Sequence, residues 1–403
     1  MSDAVADPRT AGARLAPKRR LRLSWSDPIF RSIVWQVIIV GLVVAVAWYL
    51  IGNTNRNLAA RHIATGFAFL DRVAGIPIGE SLLPYNPAVS TYGRALLIGI
   101  LNTLEVSAIG VVLATILGTL IGIGRLSANW LLARLTAFYV ETVRDIPLLL
   151  QLLFWYTILQ GLPGPRQALH LSHIAFLSNR GLKLPELIWQ PAHTGAVVAF
   201  IVGAIGTRLW VLRARARQDA TGARPPTWPV ALALLVGLPL VVWLVMGAPF
   251  QWDLPAMRGF NFRGGGTVSP EFFALLLGLV VYTAAYIAEI VRSGIQAVPL
   301  GQWEAGTALG LGRGPILRRI VLPQALRVII PPMTSQYLNL TKNSSLAVAI
   351  GFQDVVSLAN TTLNQTGQAI EGIAYIMAVY LTISLSISLF MNWYNARIAL
   401  VER

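Results

Sequence analysis

The feature that most constrains this chain is a series of eight long apolar segments, each close to 20 residues or longer. They cover residues 33–51, 95–123, 137–159, 194–212, 228–247, 271–291, 326–350 and 369–394. A helix of about 20 apolar residues crosses the hydrocarbon core of a bilayer, which is ~30 Å thick. Only 12% of the 403 residues are charged, about half the fraction in a typical soluble domain. The sequence therefore predicts an all-α integral membrane protein with about eight transmembrane helices.

The chain is strongly basic, with a formal net charge of +15. A nucleic-acid-binding protein gathers its basic residues into a patch or arm with aromatic side chains among them, whereas these lie between the apolar segments. Lys and Arg are enriched in cytoplasmic loops, and most of them fall on one side if the basic tail, residues 1–30, is inside. We therefore expect cytoplasmic N- and C-termini and no nucleic-acid partner. We interpret the tail as a topology anchor, with a partner-binding arm as the alternative.

The most informative polar segment is residues 301–323, between the sixth and seventh apolar segments. Gly310 and Gly312 are expected to end a first short helix, and a basic amphipathic helix follows, with Pro323 at a helix boundary. Glu304 lies early in the first helix, where the helix dipole favours a carboxylate. A small apolar face on this helix consists of Ala305, Ala308 and Leu309. Small residues allow a groove of another protein to approach the backbone, and the alternative is a hairpin lying on the membrane surface.

This segment resembles the cytoplasmic signature of permease subunits of ABC importers. That signature is Glu-Ala-Ala, then Gly four residues after the second Ala, then Ile-x-Leu-Pro starting ten residues after that Gly. The matching residues are Glu304, Ala305, Gly310, Ile320, Leu322 and Pro323. Gly306 stands at the second Ala and keeps that position small, although glycine weakens a helix. The resemblance implies that residues 301–323 form a coupling hairpin that docks in a cleft of a separate ATPase subunit.

Three more segments resemble the polar amino-acid permeases of the histidine/glutamine/arginine type. They are residues 139–151, 285–295 and 338–347. The whole resemblance covers residues 93–160 and 268–395, and it implies the core of a type I ABC importer permease. Between these parts lies an insert with two apolar segments, residues 161–267. A chain with this insert is most similar to the Q-type permease of the general L-amino-acid transporters, whose relatives carry glutamate, glutamine, aspartate and asparagine.

The expected organisation has six parts along the chain. They are a basic cytoplasmic tail (1–30), the first transmembrane helix with a periplasmic loop (31–92), the first part of the permease core (93–160), the insert (161–267), the second part of the core with the coupling hairpin (268–395) and a cytoplasmic tail (396–403). Because the insert adds two crossings, the coupling hairpin stays on the cytoplasmic side. Packing against a partner and simple reinforcement are both open as roles for the insert.

The resemblance implies a subunit of an ATP-driven importer that moves L-amino acids from the periplasm to the cytoplasm through a bacterial inner membrane. Its implied partners are a dimeric ABC ATPase, a second homologous permease and a periplasmic amino-acid-binding protein. ATP and Mg²⁺ belong to the ATPase, because no Gly in this chain is followed directly by Lys, as a Walker A loop requires. Cysteine is absent, and His170 and His173 lack further ligands nearby. We expect no metal site, no other cofactor and no enzyme activity in this chain.

Charged residues inside a membrane are rare and usually face a cavity or a partner. Two acidic–basic pairs at i, i+3 spacing are Glu141 with Arg144 and Glu289 with Arg292. Each predicts an ion pair within one helix near the cytoplasmic interface, and a gating role is the alternative. Glu105 lies nearer the middle of its segment, where it would pair with Arg94 or with a neighbouring subunit.

A substrate path is predicted along the seventh apolar segment. Lys342 follows the helix-breaking residues Pro331 and Pro332, and broken helices often form substrate sites near the membrane midplane. Lys342 is expected to meet the substrate carboxylate, while neighbouring polar side chains donate hydrogen bonds. These neighbours are Asn343, Ser344 and Ser345. Gln151 is expected to read a polar side chain and Glu105 to meet the ammonium group. The alternative is that this stretch stabilises a re-entrant turn at the outer interface.

Two other classes of protein remain as alternatives. An ion-coupled secondary transporter more often has inverted repeats and coupling-ion carboxylates, and it lacks a coupling hairpin. A membrane-embedded enzyme needs a nucleophile or a metal cluster facing the inside, and the sequence shows no such group.

Overall fold

The computed structural model describes residue 25 and residues 28–60, 65–223 and 225–398. The helices are α1 (Pro28–Ala60), α2 (Tyr92–Gly124), α3 (Trp130–Asp145), α4 (Leu148–Gln160), α5 (Pro191–Thr221), α6 (Trp228–Leu232), α7 (Leu238–Val245), α8 (Pro270–Gln296), α9 (Leu300–Ala308), α10 (Arg313–Ile316), α11 (Leu322–Asn343), α12 (Val355–Thr366) and α13 (Ala369–Ile398). Short 3₁₀ segments are Ala68–Asp71, Pro165–Gln167 and Ser344–Ile350, and π-helical segments are Ala233–Gly237 and Leu317–Val321. Most of the predicted basic tail and residues 399–403 lie outside the described residues.

Helices dominate the described chain, which confirms the predicted fold class. Six of them are long and apolar enough to cross a membrane, and the number rises to eight if each of two bent helix pairs is one span. The six are Phe30–Thr54, Tyr92–Gly124, Pro191–Thr221, Trp228–Val245, Pro270–Gln296 and Ala369–Arg397. The bent pairs coincide with the third and seventh apolar segments of the sequence.

The third predicted span is a bent pair rather than a straight helix. α3 ends at Asp145, α4 begins at Leu148, and their directions differ by 104°. Ile146 between them is extended, with φ −92° and ψ 124°. This follows from Pro147, because the residue before a proline avoids the helical conformation.

The seventh predicted span is bent at a different place from the one expected. We expected Pro331 and Pro332 to break the helix, and this prediction is wrong, because α11 runs through both of them. The 51° bend lies after the 3₁₀ segment, between Ile350 and Val355. Gly351 at this point has φ +81°, a conformation that glycine adopts at no steric cost. Neighbouring helices compensate for the missing proline N–H groups in membrane proteins, so prolines are tolerated inside such helices.

Residues Phe67–Arg403 form one compact unit, centred on the contact between α2 and α8. A Cβ atom added at Gly118 would lie 2.6 Å from the Cβ atom of Ile287. One added at Gly122 would lie 2.7 Å from the carbonyl oxygen of Ala288. Small residues four positions apart allow membrane helices to pack backbone against backbone. α4 and α11 pack on the same central helix α8.

The insert contains a helical hairpin and most of a group of short strands. α5 packs along α6, α7 and the π segment between them, with Gly203 against the backbone of Leu234. The strands are β1 (Leu169–Ser172), β2 (Ala175–Ser178), β3 (Gly181–Leu184), β4 (Glu186–Leu187), β5 (Trp252–Asp253), β6 (Ala256–Arg258), β7 (Asn261–Arg263) and β8 (Gly266–Val268). They form an antiparallel sheet in the order β1–β2–β3–β8 and two pairs, β4–β5 and β6–β7. The sequence did not predict these strands, because each is short and β3 pairs with β8, which lies far from it in the sequence.

The described residues before Phe67 belong to a separate unit, whose described helix is α1. The most apolar stretch of α1 has no buried residue, so its side chains are available to lipid or to another subunit. The predicted periplasmic loop after α1 belongs from Phe67 onwards to the larger unit.

Candidate functional site

The coupling hairpin, residues 301–323, begins with two short helices around a turn, as predicted. α9 ends at Ala308 and α10 begins at Arg313. Gly310 between them has φ +73°, which favours glycine because a side chain would be strained there. Gly312 is the extended residue that precedes α10. The two glycines together reverse the direction of the chain.

One side of α9 packs on the following helix and the other side is open. Gly306 is buried, and a Cβ atom there would lie 2.8 Å from Cγ1 of Ile316. The departure from Ala in the signature thus allows the two short helices to lie in contact. The exposed strip of the hairpin consists of Glu304, Ala305, Ala308 and Leu309. The Leu309 side chain is 77% exposed, so this strip is free to meet another protein.

The second arm of the hairpin continues into α11 without a break. Pro323 lies at an element boundary, as predicted, because α11 begins at Leu322 directly after a π segment, but the helical backbone continues through this boundary. Pro323 follows the π segment Leu317–Val321 and lies in the first turn of α11, where a residue without an N–H donor is tolerated. The other signature residues here are half-buried Ile320 and exposed Leu322. Gln324 Nε2 donates to Gln302 Oε1 at 3.1 Å and so connects the two arms.

An ion-pair cluster joins α2 to α8 shortly before the hairpin. Glu289 pairs with Arg292, at the predicted i, i+3 spacing, and also with Arg125 just after α2. Arg292 Nε donates to Glu289 Oε2 at 3.2 Å, and its Nη1 donates to Gln296 Oε1 at 2.6 Å. The sequence did not predict the contact of Arg125 with Glu289, because the two residues lie 164 positions apart. In the sequence, Arg125 is simply one of several basic residues near helix ends.

Glu141 and Arg144 do not form the predicted ion pair in the part of the chain that the structure describes. The Arg144 guanidinium instead lies 5.0 Å from the ring centroid of Tyr286 on α8, and Glu141 is exposed. A cation over an aromatic face is attracted by the ring quadrupole. Arg144 therefore connects α3 to α8 rather than to its own helix.

Gln151 fixes the bend between α3 and α4. Its Nε2 atom donates to the carbonyls of Val143 and Ile146, both at 2.9 Å, and the residue is 7% exposed. Carbonyls at the end of a helix lack partners within that helix, and the amide of Gln151 supplies them. Both of its donors are thus engaged by the backbone, whereas we expected this side chain to read a polar substrate.

The predicted substrate stretch lies where α11 passes into the 3₁₀ segment. The Ser344 hydroxyl donates to the Thr341 carbonyl at 2.8 Å, and the Ser345 hydroxyl donates to the Lys342 carbonyl at 2.7 Å. These hydroxyls therefore satisfy the end of their own helix. Lys342 itself is exposed and Asn343 is half-buried, so the ammonium group is the part of this stretch most open to a ligand.

Glu105 is half-buried on α2 and forms no ion pair within the described residues. Its expected partner Arg94 donates instead to the Pro84 carbonyl at 3.0 Å. The carboxyl group that interacts with Glu105 electrostatically is that of Glu80, in the loop before α2. The structure therefore brings Glu105 close to an acidic neighbour rather than a basic one.

Sequence reasoning missed a polar cavity of about 250 Å³ beside Glu80. Asn102 Nδ2 donates to the carbonyls of Glu80, at 3.1 Å, and Gln353, at 2.9 Å. The Ser269 N–H donates to Glu80 Oε1 at 2.5 Å. Burial raises the pKa of the Glu80 carboxyl, the hydrogen bonding from Ser269 opposes this, and the nearby Glu271 carboxyl raises it further. The one available signal was an asparagine within an apolar segment, and its partner lies 251 positions away.

In the part of the chain that the structure describes, no three His, Cys, Asp or Glu residues are placed to hold a metal ion. His170 packs against Phe176, with 5.0 Å between the ring centroids.

Comparison with known proteins places these features in a family. The family model described as binding-protein-dependent transport system inner membrane component matches residues 229–400. The putative amino-acid ABC transporter permease protein YhdX of Escherichia coli K12 is 53% identical, over 94% of this chain and 97% of its own length. The chain belongs to the family of amino-acid ABC transporter permeases.

Two further members of this permease family align over nearly their whole length. The general L-amino acid transport system permease protein AapQ of Rhizobium johnstonii is 50% identical, over 95% of this chain and 96% of its own. The glutamate/glutamine/aspartate/asparagine transport system permease protein BztB of Rhodobacter capsulatus is 43% identical, over 96% and 98%. Such coverage extends over most of the insert, so the insert is part of the sequence that aligns with these permeases.

Proposed function

We propose that this permease carries L-amino acids, with a preference for polar or acidic ones, from the periplasm to the cytoplasm through the inner membrane of a bacterium. The observation that supports this most directly is the exposed strip of the coupling hairpin, which includes the signature residues Glu304 and Ala305. Relatives named for general L-amino acid transport and for transport of glutamate, glutamine, aspartate and asparagine support the substrate class. An ion-coupled secondary transporter has no use for such a hairpin.

A separate ATPase dimer supplies the energy in this proposal and binds the ATP and Mg²⁺. Each coupling hairpin docks in a cleft of an ATPase subunit, and closure of the ATPases on ATP moves the hairpins together. The Glu289 cluster shortly before the hairpin carries this movement to α2 and α8 at the centre of the core. The core then opens alternately to the two sides of the membrane.

Two more partners complete the proposed importer. A second, related permease forms the pore together with this chain, and a periplasmic binding protein delivers the amino acid. The family description, which names binding-protein-dependent transport, supports the second partner.

Lys342 is the proposed contact for the carboxylate that all amino acids share. Lys342→Met is then expected to lower the uptake of glutamate, glutamine and lysine by a similar factor, on the order of tenfold, because a charged hydrogen bond of about 1.5–3 kcal/mol is lost. Arg217→Met on α5 is the matched control. Loss confined to glutamate would mean that Lys342 reads the side chain, and unchanged uptake of all three would remove it from the path.

The proposed function is tested by reconstituting the chain with its candidate ATPase, second permease and binding protein in liposomes. Uptake of labelled glutamine is expected only when ATP is enclosed on the ATPase side and the binding protein is present outside. Uptake by this chain alone, driven by a sodium or proton gradient, would contradict the proposal and favour the ion-coupled alternative.

A further inference from the structure

The short strands form a compact attachment at one end of the core. We call residues 165–187 and 252–268 the sheet module. Its four-stranded sheet ends on β8, from which the chain enters α8 through Ser269. The Ser269 N–H donates to Glu80 beside the polar cavity. The sheet module is thus fixed next to that cavity, on the side that the predicted topology places in the periplasm.

The sheet module carries more positive than negative charge. Its basic residues are Arg166, Arg180, Lys183, Arg258 and Arg263, and its acidic residues are Glu186 and Asp253. All four arginines are exposed, and none forms an ion pair with another described residue. Asp253 accepts a hydrogen bond from the Gly265 N–H at 3.0 Å and is engaged by its own loop. Arginine is disfavoured outside the membrane by the positive-inside rule, so this unpaired group indicates an acidic partner.

An exposed aromatic side chain stands among these arginines. Phe260 at the tip of the β6–β7 hairpin is 75% exposed, and the Arg166 guanidinium lies 3.8 Å from its ring centroid. The hairpin is anchored by Phe262, which is buried and stacks on Phe176 with 4.6 Å between ring centroids. Aromatic and arginine side chains supply much of the binding energy where proteins meet. The Phe260–Arg166 pair on this anchored hairpin therefore has the residue types that are enriched at the centre of protein–protein interfaces.

The membrane surface accounts for other aromatic residues of the insert but not for this one. Trp189 lies just before α5 and Phe250 just after α7, the positions of an interfacial aromatic belt. Phe260 is separated from the next membrane helix by β7 and β8. Its ring contacts the Arg166 guanidinium, whereas Trp and Tyr residues are typical of such a belt.

We propose that the sheet module is a docking surface for an acidic face of the soluble substrate-binding protein. This inference rests on the proposed function, because it requires a binding protein that visits the outer end of the core. Arg166, Arg258 and Arg263 attract the acidic face, and Phe260 anchors it. The insert thereby widens the contact beside the polar cavity.

The test uses the reconstituted importer and measures ATPase activity against the concentration of binding protein. The triple variant R166E/R258E/R263E raises the concentration for half-maximal stimulation about tenfold at low salt and leaves the maximal rate unchanged. At 0.5 M salt the difference shrinks to about twofold, because the Debye length falls to a few ångströms. Phe260→Ser raises the same concentration at both salt levels. The matched control is Arg215→Glu on α5, which keeps the wild-type value.

The neutral triple variant R166Q/R258Q/R263Q removes the positive charges without introducing negative ones. We expect it to raise the concentration for half-maximal stimulation by an intermediate factor. Wild-type half-maximal concentrations in the triple variants and in Phe260→Ser would overturn the inference while leaving the proposed function intact. Crosslinking of position 260 to the second permease instead of the binding protein would also overturn it. Failure of the binding protein to stimulate the wild-type importer would count against the proposed function itself.

Discussion

At the scale of single residues, Gln151 shows how one side chain fixes the direction of a membrane segment. Pro147 prevents a continuous helix, and this leaves carbonyls at the end of α3 without partners. The two donors of the Gln151 amide bind the carbonyls of Val143 and Ile146. In a membrane an unsatisfied carbonyl costs more than in water, since no solvent replaces the donor. The amide is therefore part of the fold at this position.

Gln151→Leu is expected to destabilise the permease by about 1–3 kcal/mol, because two hydrogen bonds to backbone carbonyls are lost. A lower midpoint of thermal unfolding for the detergent-solubilised complex checks this. Gln160→Leu is the control, since Gln160 is exposed and donates only to the Tyr156 hydroxyl. An unchanged midpoint together with a raised KM for glutamine would instead assign Gln151 to substrate recognition.

At the scale of elements, residues 67–91 form a strap across the ends of several helices. The Gly79 N–H donates to Gln353 Oε1 at 2.8 Å, and Gln353 Nε2 donates to the Pro77 carbonyl at 2.6 Å. Glu80 accepts from the N–H of Ser269, just before α8. The strap thus connects the loop before α12 with the start of α8, and its attachment involves a carboxyl whose pKa is raised by burial.

The strap is expected to hold more firmly at acidic pH. The pKa of Glu80 is higher in the folded protein than in the unfolded chain, so protonation of Glu80 stabilises the folded strap. This stabilisation is complete below the ordinary glutamate pKa and is lost as pH rises through the raised pKa. Hydrogen exchange of residues 67–91, corrected for the intrinsic rate, should show greater protection at pH 5 than at pH 8. Glu80→Gln keeps an acceptor without a charge and should remove this difference, while Glu186→Gln should leave it. Equal protection at both pH values in the wild type would refute the idea.

The contact between α2 and α8 gives a second prediction at this scale. Gly118→Val places a branched side chain where even a Cβ atom lies 2.6 Å from Ile287, and overpacking of this kind costs about 1–3 kcal/mol or more. Lower yield and a lower unfolding midpoint of the purified complex are expected. Gly237→Ala is the control, because no atom lies within 4 Å of its added Cβ. A wild-type midpoint for Gly118→Val would mean that the two helices are less closely packed than described.

At the scale of the whole molecule, the exposed strip of the coupling hairpin is the proposed connection to the ATPase. Glu304→Lys reverses a charge on this strip and is expected to lower ATPase stimulation by the loaded binding protein at least about tenfold, because loss of charge complementarity at an interface can cost several kcal/mol. Basal ATPase activity of the purified ATPase should not change. The control is Asp219→Lys, a charge reversal at an exposed acidic residue of α5, outside both the hairpin and the sheet module. Wild-type stimulation of the Glu304 variant would contradict a coupling role.

Features that depend on local sequence could be predicted, and those that depend on distant contacts could not. The apolar segments and the turn at Gly310 follow from segment length and from the conformation that glycine permits. The partners Arg125 and Glu289, or Asn102 and Gln353, are joined only by the packing of whole helices. The predicted helix break at Pro331 was wrong, because the effect of a proline in a membrane helix depends on the neighbouring helices, which the sequence does not show.

The unbroken path from Arg313 through the π segment to Asn343 has a mechanical consequence. At a rise of 1.5 Å per residue it is a rod about 45 Å long, more than the thickness of the hydrocarbon core. A rod of this kind transmits displacement along its length, so a small movement of the end that we propose docks on the ATPase is expected to reappear at the far end. That end leads through a short 3₁₀ segment to Gly351 and Gln353, where the strap is hydrogen-bonded. Force applied to the coupling hairpin would thus reach the strap at the far end of the rod without passing through the insert.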